Sequence, residues 1–351
     1  MCEYQSFFFI ITNWFGGGIE RIFTNVAKGL SASNYYPKIY LYVINGFDKK
    51  KYNIDENIKT INNLFELFYL VKTINNKMII NFTSDWKSSL LSRCLSRNYI
   101  SWIHNNPYTM REARTSWLNF YLIKKSNQIV CVCKEQKEIL QHQFSFVNEF
   151  AIIYNSVDFD YVRRQASLPL EINYKYLLMV ARLDLESKDF FTLIDAYSQL
   201  DISIIDTYKL VLLGDGPDFD KVNDYIKRKK MHNNIIIQGY DSNPYKWIKN
   251  SVCNILSSKT EGFNVTVIEG MVLGCPQIIT KYQTGSTEVS NFGQNTLLVD
   301  IGDVIGLKNA IESIVYDSVL REKIVNSANS FILNFSQQIF QDKISQLFHL
   351  E

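Results

Sequence analysis

The sequence predicts a protein of the α/β class, built as two tandem Rossmann-like domains whose parallel sheets face a central cleft. Three observations lead to this prediction. The chain has 351 residues, 46% of them hydrophobic and 21% charged, which is enough apolar material for two cores. Short β-branched or aromatic runs alternate with segments of helical period along the whole chain. These runs are continuously apolar, which is typical of parallel strands covered by helices on both faces.

Twelve runs are predicted strands, in two sets of six. The stretch from Asp158 to Tyr174 lies between the sets, is charged, contains proline and shows neither strand nor helix period, so we place the domain junction there. We expect an N-terminal domain of residues 1–165, a C-terminal domain of residues 166–330 and a C-terminal helix, 331–351, that packs back on the N-terminal domain. The predicted strands are 6–12, 38–44, 78–83, 99–104, 129–133 and 150–155, then 176–181, 209–214, 234–239, 252–257, 277–280 and 295–300.

The sequence also indicates a compartment. No apolar stretch approaches the roughly 18 residues needed to cross a bilayer. The run from Phe7 to Ile11 is short and is preceded by Glu3, unlike a secretory signal. The six cysteines form no C-x-x-C pair, which argues against a disulfide framework or a zinc knuckle. We therefore expect a cytoplasmic protein.

A glycine-rich turn follows the first predicted strand. Gly16, Gly17 and Gly18 precede a segment with one apolar face, so they would let a ligand approach the backbone at the start of a helix. The dinucleotide spacing G-x-G-x-x-G is absent, and a plain tight turn explains three glycines as well. The apolar positions of the predicted helix are Ile19, Ile22, Phe23, Val26, Ala27 and Leu30.

A basic pair follows the predicted strand 176–181. Arg182 ends this strand, and Lys188 comes just before a predicted helix that carries Phe190. A lysine at a helix amino end opposes the positive end of the helix dipole, and an anion such as diphosphate would remove that conflict. Alternatively, Lys188 points into water and Arg182 pairs with a nearby carboxylate.

Two glutamates frame the segment TEGFNVTVIEGMVLGCP, which has two structural interpretations. As a strand, it would place Glu261 and Glu269 about 26 Å apart, too far for one small ligand. As a helix with Asn264 as N-cap, it would bring them within about 12 Å and present the amides of Val265 and Thr266 to an anion. We favour the helix because a strand precedes it, and two parallel neighbouring strands require a crossover. Glu269 could then accept hydrogen bonds from a diol.

Three motifs occur in one order over nearly the whole chain: GGGIERIFTNVAKGL, ARLDLESKDFFTLIDAYSQL and SSKTEGFNVTVIEGMVLGCPQIIT. In this combination the sequence resembles the retaining family 4 glycosyltransferases of the GT-B fold, the glycosyl transferases group 1. The resemblance implies that the C-terminal domain holds most of a nucleotide-sugar donor and the N-terminal domain most of an acceptor.

The resemblance also implies roles for the C-terminal residues. Arg182 and Lys188 would neutralise the donor diphosphate. Glu269 would bind the ribose diol, and Glu261 would contact the sugar and count among the catalytic residues. Gly285 to Glu288 resemble the glycine-containing loop that the family has near the donor.

In the N-terminal half, the resemblance places Gly16 to Gly18 near the phosphates and the sugar. His104, at the end of YISWIH, matches the active-site histidine of the family, although a lone histidine at a strand end is more often structural. The chain departs from the family where Ala181 and Ser156 replace glycines. Both substitutes are small, so close backbone approach is preserved.

No metal or cofactor is expected. Asp158, Phe159 and Asp160 spell D-x-D, a metal-binding triplet in the other glycosyltransferase fold, but they lie at the domain junction. If Arg182 and Lys188 offset the phosphate charge, a cation is unnecessary.

The sequence thus predicts a retaining, metal-independent hexosyltransferase. It would move a hexose or N-acetylhexosamine from a nucleotide sugar, with UDP as the commonest carrier, to a lipid-linked or oligosaccharide acceptor in bacterial surface polysaccharide synthesis. A nucleotide-sugar epimerase on the same scaffold and a non-catalytic nucleotide-binding partner of another transferase are the alternatives. Nucleic acid is not an expected partner.

The charge distribution adds a membrane hypothesis. Residues 1–165 carry 20 basic and 13 acidic side chains, a net charge of +7, whereas residues 166–351 carry 17 and 22, a net charge of −5. The basic half could rest on anionic lipids at the inner face of the plasma membrane, with segment 116–126 as an interfacial helix. A core helix that ends in lysines explains this segment equally, and drift in surface charge explains the asymmetry.

Overall fold

The structure is a computed structural model that describes residues 5–14, 18–31, 37–46, 56–112 and 114–349. The chain divides into two compact units. Unit 1 comprises Met1–Ser156 together with Gln337–Glu351, and unit 2 comprises Val157–Ser336. Each unit is a parallel sheet with helices connecting its strands, as the alternating pattern predicts.

The described part of unit 1 holds a parallel sheet of order β3-β2-β1-β4-β5-β6-β7. All six residues of β1 are buried, because this central strand is covered on both faces. The strand Ile58–Ile61 was not predicted, since it is short, lies at the sheet edge and contains a lysine. The strands are β1 (Ser6–Ile11), β2 (Lys38–Val43), β3 (Ile58–Ile61), β4 (Lys77–Asn81), β5 (Tyr99–Ile103), β6 (Gln128–Cys131) and β7 (Glu149–Ile152).

Helices connect these strands. The first one has the predicted apolar face, with Phe23, Val26 and Leu30 fully buried. A π-helical turn, Ile139–Gln143, follows the last helix before β7. The helices are α1 (Gly18–Ser31), α2 (Leu64–Thr73), α3 (Trp86–Leu95), α4 (Pro107–Glu112), α5 (Ser116–Lys124) and α6 (Lys134–Glu138).

Unit 2 holds a six-stranded parallel sheet of order β10-β9-β8-β11-β12-β13. Each of its strands overlaps a run predicted from the sequence. The strands are β8 (Lys175–Val180), β9 (Tyr208–Leu213), β10 (Ile235–Gly239), β11 (Asn254–Leu256), β12 (Gln277–Thr280) and β13 (Leu297–Val299). The helices are α7 (Phe159–Ala166), α8 (Phe190–Ser198), α9 (Ile202–Thr207), α10 (Phe219–Arg228), α11 (Tyr245–Asn250), α12 (Val265–Val272), α13 (Ser286–Val289), α14 (Val304–Tyr316) and α15 (Ser318–Phe331).

The expectation of no helix in the stretch from Asp158 to Tyr174 was wrong, because α7 lies there. Asp158 caps this helix by accepting a hydrogen bond from the Tyr161 amide at 2.9 Å. Only Val162 and Ala166 of α7 are buried, so its apolar stripe is too narrow to see in the sequence. Because α7 packs on α11 and α12, the units divide at Ser156, earlier than the expected junction at residue 165.

The last helix, α16 (Gln337–Phe348), belongs to unit 1. Its Phe348 ring meets the Phe7 ring of β1 edge-on, with 4.7 Å between centroids. Ile344 of α16 is also buried, close to Gly29 of α1. This helix therefore helps to cover one face of the unit 1 sheet. No helix in the described part of the chain is both long enough and apolar enough to span a bilayer.

Candidate active site

The segment with two structural interpretations is a helix, as predicted. Asn264 is the N-cap of α12, and its side chain accepts a hydrogen bond from the Thr266 amide at 2.9 Å. The helix ends before Gly274, which has a φ of +66°. It connects the parallel neighbours β11 and β12, so the need for a crossover outweighed the β propensity of its sequence.

One detail of the expected anion site was wrong. The Thr266 amide donates to the Asn264 side chain. Of the two expected amides, that of Val265 alone has no acceptor among the described residues. Helix N-caps commonly use this hydrogen bond, which competes with any external anion. An anion at α12 would therefore bind the Val265 amide, or displace Asn264.

The loop after β8 lies against the loop after β11. Lys188 and Ser258 face each other in an isolated antiparallel bridge. The Asp189 amide donates to the Ser257 carbonyl at 2.6 Å, and the Lys259 amide donates to the Ser187 carbonyl at 2.9 Å. These bonds fix Lys188 near the start of α8, as predicted, and bring it toward the loop that carries Glu261.

Lys188, Ser258 and Glu261 form a triangle of polar contacts. The Lys188 ammonium donates to Ser258 Oγ at 3.3 Å and forms an ion pair with Glu261 Oε1. Ser258 Oγ donates to the same carboxylate oxygen at 2.6 Å. The lysine and glutamate side chains are 11% and 15% exposed, so the pair is largely shielded from water. The alternative in which Lys188 points into water is therefore wrong.

Arg182 stands outside this triangle. It is exposed, and its guanidinium forms no ion pair or hydrogen bond with any described residue. The suggested pairing of Arg182 with a carboxylate on its own loop is therefore also wrong. An exposed guanidinium with all its donors available suits a phosphate.

Glu269 lies in the second turn of α12. Its side chain is buried, with the residue 2% exposed, and its Oε1 accepts a hydrogen bond from the Tyr245 hydroxyl at 3.2 Å. Tyr245 begins α11 and is itself buried, with its ring edge-on to that of Tyr161 at 6.0 Å between centroids. Tyr245 was not predicted from the sequence, because no local spacing links it to Glu269.

The glycines after β9 were also missed. A Cβ at Gly214 would lie 2.0 Å from the Ala181 carbonyl oxygen, and one at Gly216 would lie 2.3 Å from that of Leu183. Both contacts are far closer than a real side chain allows. These glycines therefore let the loop that carries Arg182 pack directly on the loop after β9. The available signal was the G-x-G spacing directly after a buried strand.

The loop after β12 packs against the loop that carries Glu261. The Thr284 hydroxyl donates to the carbonyl of Glu261, and Gly285 has a φ of +81° that favours glycine. A Cβ at Gly285 would lie 2.7 Å from the Phe263 ring. The segment resembling the family's later glycine loop is thus packed on the loop that carries Glu261. The loops after β8, β11 and β12 meet at one edge of the unit 2 sheet.

In unit 1 the expected residues are less fully described. Gly16 and Gly17 lie outside the described residues, and Gly18 is the first residue of α1. His104 follows β5 and is 7% exposed, stacked on Trp102 and tilted against Phe82. Neither ring nitrogen has a hydrogen-bond partner among the described residues.

Burial sets the charge of His104. The aromatic surroundings lower the pKa of its imidazole from 6.5 to about 3, because the charged form would lose its hydration. The ring is therefore neutral near neutral pH, where it can donate one hydrogen bond and accept another.

The D-x-D triplet has a structural role, since Asp158 caps α7. Within the described ranges, no three side chains of His, Cys, Asp or Glu are grouped so that they could hold a metal ion.

Similarity to known proteins was found over much of the chain. It is 27% identical over 244 residues to a Campylobacter jejuni protein named N-acetylgalactosamine-N,N'-diacetylbacillosaminyl-diphospho-undecaprenol 4-alpha-N-acetylgalactosaminyltransferase. This match covers 68% of this chain and 66% of the relative, so the chain spans just under two thirds of that protein. An Escherichia coli protein, UDP-Gal:alpha-D-GlcNAc-diphosphoundecaprenol alpha-1,3-galactosyltransferase, is 22% identical over 311 residues, covering 83% of this chain and 80% of that protein.

Among solved structures, that of Anabaena Alr3699/HepE in complex with UDP superposes with a TM-score of 0.81. It is 16% identical and covers 98% of this chain and 99% of that chain, so the likeness concerns the fold. The predicted α/β class with two Rossmann-like domains of the GT-B type is confirmed. Residues 163–331 match the family model described as Glycosyl transferases group 1. In residues 163–331 the chain therefore carries a domain of the glycosyl transferases group 1, the family that its motifs resemble.

Proposed function

We propose that this protein is a retaining glycosyltransferase that moves a hexose or N-acetylhexosamine from a UDP sugar to a lipid-linked or oligosaccharide acceptor. The observation that carries the proposal is the group of loops at one edge of the unit 2 sheet. Two relatives whose names specify transfer to diphospho-undecaprenol-linked sugars support the acceptor class, and hence a place in surface polysaccharide synthesis.

The diphosphate would bind the basic residues of this edge. Lys188 has three N–H donors, of which Ser258 and Glu261 use two, so one remains for a phosphate oxygen. Arg182 supplies an uncommitted guanidinium, and the Val265 amide supplies a donor at the positive end of α12. These groups favour departure of the diphosphate without a metal ion, which is part of the proposal.

The two glutamates would hold the two ends of the donor. Glu261 Oε1 is fixed by Lys188 and Ser258, whereas Oε2 has no partner among the described residues and can accept a hydrogen bond from a sugar hydroxyl. Glu269 would accept hydrogen bonds from the ribose diol, with Tyr245 orienting its carboxylate. Glu261 thus orients the donor and does not form a covalent bond.

The proposed step transfers the sugar with retained anomeric configuration. The acceptor oxygen forms a bond to the anomeric carbon on the face from which the diphosphate leaves. The bond between that carbon and the diphosphate oxygen breaks with its electron pair on phosphate, and a phosphate oxygen takes the acceptor proton. His104 in unit 1 remains a candidate catalytic residue. As a neutral ring, it would contribute a hydrogen bond to the reacting sugar.

Unit 1 would bind the acceptor, and its basic character would bring the protein to the inner face of the membrane, where a lipid-linked acceptor is found. This association would be peripheral and would rely on contacts with lipid headgroups.

The test is incubation of the protein with radiolabelled UDP-hexoses and UDP-N-acetylhexosamines, with and without bacterial lipid extract. We expect label in the lipid fraction only when extract is present, in a linkage with the anomeric configuration of the donor. Conversion of the donor sugar without extract would indicate an epimerase. Donor binding without any transfer would indicate a non-catalytic nucleotide-binding protein.

A further inference from the structure

Three helices of unit 1 lie side by side on one face of its sheet. Helices α2, α3 and α5 each follow a strand and lead to the next strand in the same direction across the sheet, so right-handed crossovers place them on one face. Hydrogen bonding confirms one neighbour pair, because Ser89 of α3 donates to Asn119 of α5 at 2.8 Å. A cavity lined by residues of α2 and α3 lies between the other pair.

The solvent side of these helices is unusually apolar. Among the described residues of unit 1, ten large hydrophobic side chains are exposed, and eight of them lie on α2, α3 and α5. They include Phe65, which is 88% exposed, and Trp117, which is 73% exposed. We call the exposed side of the three helices the outer face. A concentration of this kind marks an interaction surface, because scattered single residues would be the ordinary case.

The exposed residues follow the helical repeat. On α2, Phe65, Phe68 and Tyr69 are exposed, whereas Leu67 and Val71 are buried against the sheet. On α5, Trp117 and Tyr121 are exposed one turn apart, whereas Leu122 and Ile123 are buried. Each helix thus has one apolar side for the core and a second aromatic side toward solvent. Core packing explains the first of these but not the second.

The charges around the outer face are mainly basic. Helices α2, α3 and α5 contain four basic side chains and one acidic side chain, Glu66. Glu66 accepts a hydrogen bond from the Asn62 amide at 3.1 Å, and nearby Asp85 caps α3, so both carboxylates are held at helix amino ends. The basic side chains are Lys72, Lys87, Arg93 and Lys124.

The lysines lie close to the exposed aromatic rings. Lys87 Nζ is 5.9 Å from the centroid of a ring of Trp86, and Lys125 Nζ is 5.3 Å from that of Tyr121. The cavity between α2 and α3, of about 530 Å³, is lined by two lysines, Lys72 and Lys77, by Ser96 and by four apolar or aromatic side chains. Aromatic rings mixed with lysines match the headgroup layer of an anionic bilayer, where rings meet acyl chains and ammonium groups meet phosphates.

We propose that the outer face of α2, α3 and α5 binds the surface of an anionic lipid bilayer, with the aromatic side chains in the headgroup layer and the lysines on lipid phosphates. This inference deepens the proposed function and rests on it, because transfer to a lipid-linked acceptor is the reason for the protein to visit a membrane. The proposed surface extends the interfacial segment expected at residues 116–126 to three helices. Helix α5 lies in that segment and is both a core helix and part of the outer face.

The test is sedimentation of the full-length protein with vesicles of phosphatidylcholine, with and without phosphatidylglycerol, at low and high salt. We expect binding to the phosphatidylglycerol vesicles that weakens at high salt. The double variant Phe65→Ser, Trp117→Ser should bind at least about tenfold more weakly, because it loses two interfacial rings. The matched control is Val147→Ser, since Val147 is an exposed apolar residue of unit 1 outside the outer face.

A second measurement locates the bound surface. Brominated phosphatidylcholine in the anionic vesicles should quench tryptophan fluorescence, and Trp117→Phe should reduce that quenching. Failure of the natural protein to bind anionic vesicles at low salt would overturn the proposal. An equal loss of binding in Val147→Ser, or no loss in the double variant, would overturn it too.

UDP titration and the transfer assay separate this inference from the proposed function. The double variant should bind UDP as the natural protein does, since its substitutions are on unit 1 surface helices. Vesicle binding without transfer by the natural protein would contradict the proposed function and leave the surface assignment standing. Transfer without vesicle binding would contradict the surface assignment and leave the proposed function standing.

Discussion

The two units have the same kind of sheet, but the polar residues at their strand ends have different surroundings. In unit 2, Lys188 and Glu261 bind each other and share Ser258. In unit 1, His104 is enclosed by aromatic rings and has no partner for either nitrogen among the described residues. Pairing allows nearly buried groups to remain charged, whereas lone burial makes a group neutral. The common architecture thus fixes where such residues occur, and their neighbours fix what charge they carry.

The largest expected effect concerns the charged residues of unit 2. Lys188→Ala, Glu261→Ala and Arg182→Ala should each lower transfer at least about a hundredfold, because each removes a contact to the donor. Their stabilities should differ. Lys188→Ala should cost about 3 kcal/mol in the free energy of unfolding by leaving Glu261 without its cation, whereas Arg182→Ala should change it by less than about 0.5 kcal/mol. Transfer assays and urea unfolding would measure both quantities.

The control for these variants is Lys227→Ala, which removes an ion pair with Asp224 on α10 whose two side chains are 61% and 68% exposed. It should leave transfer within about twofold and stability essentially unchanged, because an exposed ion pair contributes little. Near-normal transfer in all three site variants would refute the assignment of the diphosphate contacts.

A second prediction tests the close approach of the loops in unit 2. Gly214→Ala should destabilise the protein by about 3 kcal/mol or more, because its Cβ would meet the Ala181 carbonyl oxygen. Gly239→Ala is the matched control, since Gly239 also has a positive φ but no atom lies within 4 Å of the position that a Cβ would take there. It should cost only about 1 kcal/mol. Equal losses in thermal or urea unfolding would show that the loop contact is unimportant.

The third prediction sharpens the contrast through His104. Its pKa is about 3 in the folded protein and 6.5 when unperturbed, so the unfolded chain takes up the proton first as the pH falls. The part of the free energy of unfolding that depends on a neutral His104 is therefore fully present above pH 6.5 and is lost as the pH falls toward 3. Near about pH 5 the loss from this residue should be about 2 kcal/mol. In urea unfolding, His104→Phe should show a pH-dependent loss that is smaller by this amount, and an unchanged loss would contradict the neutral, buried imidazole.

The smallest expected effect is that of Tyr245→Phe, which removes the hydrogen bond to Glu269. Loss of one such bond should cost about 1 kcal/mol in stability and weaken UDP binding about fivefold, because the carboxylate is less well oriented. The control is Tyr161→Phe, because the Tyr161 ring packs edge-on against that of Tyr245. This substitution should change neither stability nor UDP binding appreciably. UDP affinity that is equal in both variants would remove Tyr245 from the site.

Much of the fold was predictable because the central strands are continuous apolar runs. The failures have local causes: β3 is a four-residue edge strand, and α7 buries only two side chains. The sequence correctly predicted α12 against its own propensity, since two parallel strands need a crossover. Topology was the better guide there.

The site was predictable only in its local parts. Lys188 and Glu261 are marked by their positions after strands, but their pairing across 73 residues is a product of the fold. The same holds for Tyr245 with Glu269, and for the Thr266 amide, whose use by Asn264 depends on the exact cap geometry. Sequence patterns indicate which residues lie at a sheet edge, and tertiary contacts decide which of them remain available to a ligand.

The most direct test of the diphosphate site is calorimetric titration of the natural protein and the Arg182→Ala variant with UDP and with uridine. Arg182→Ala should weaken UDP binding at least about tenfold, while any uridine binding should be the same in both proteins, because only the phosphates contact the guanidinium. UDP binding of equal strength in the two proteins would contradict the assignment of Arg182 to the diphosphate.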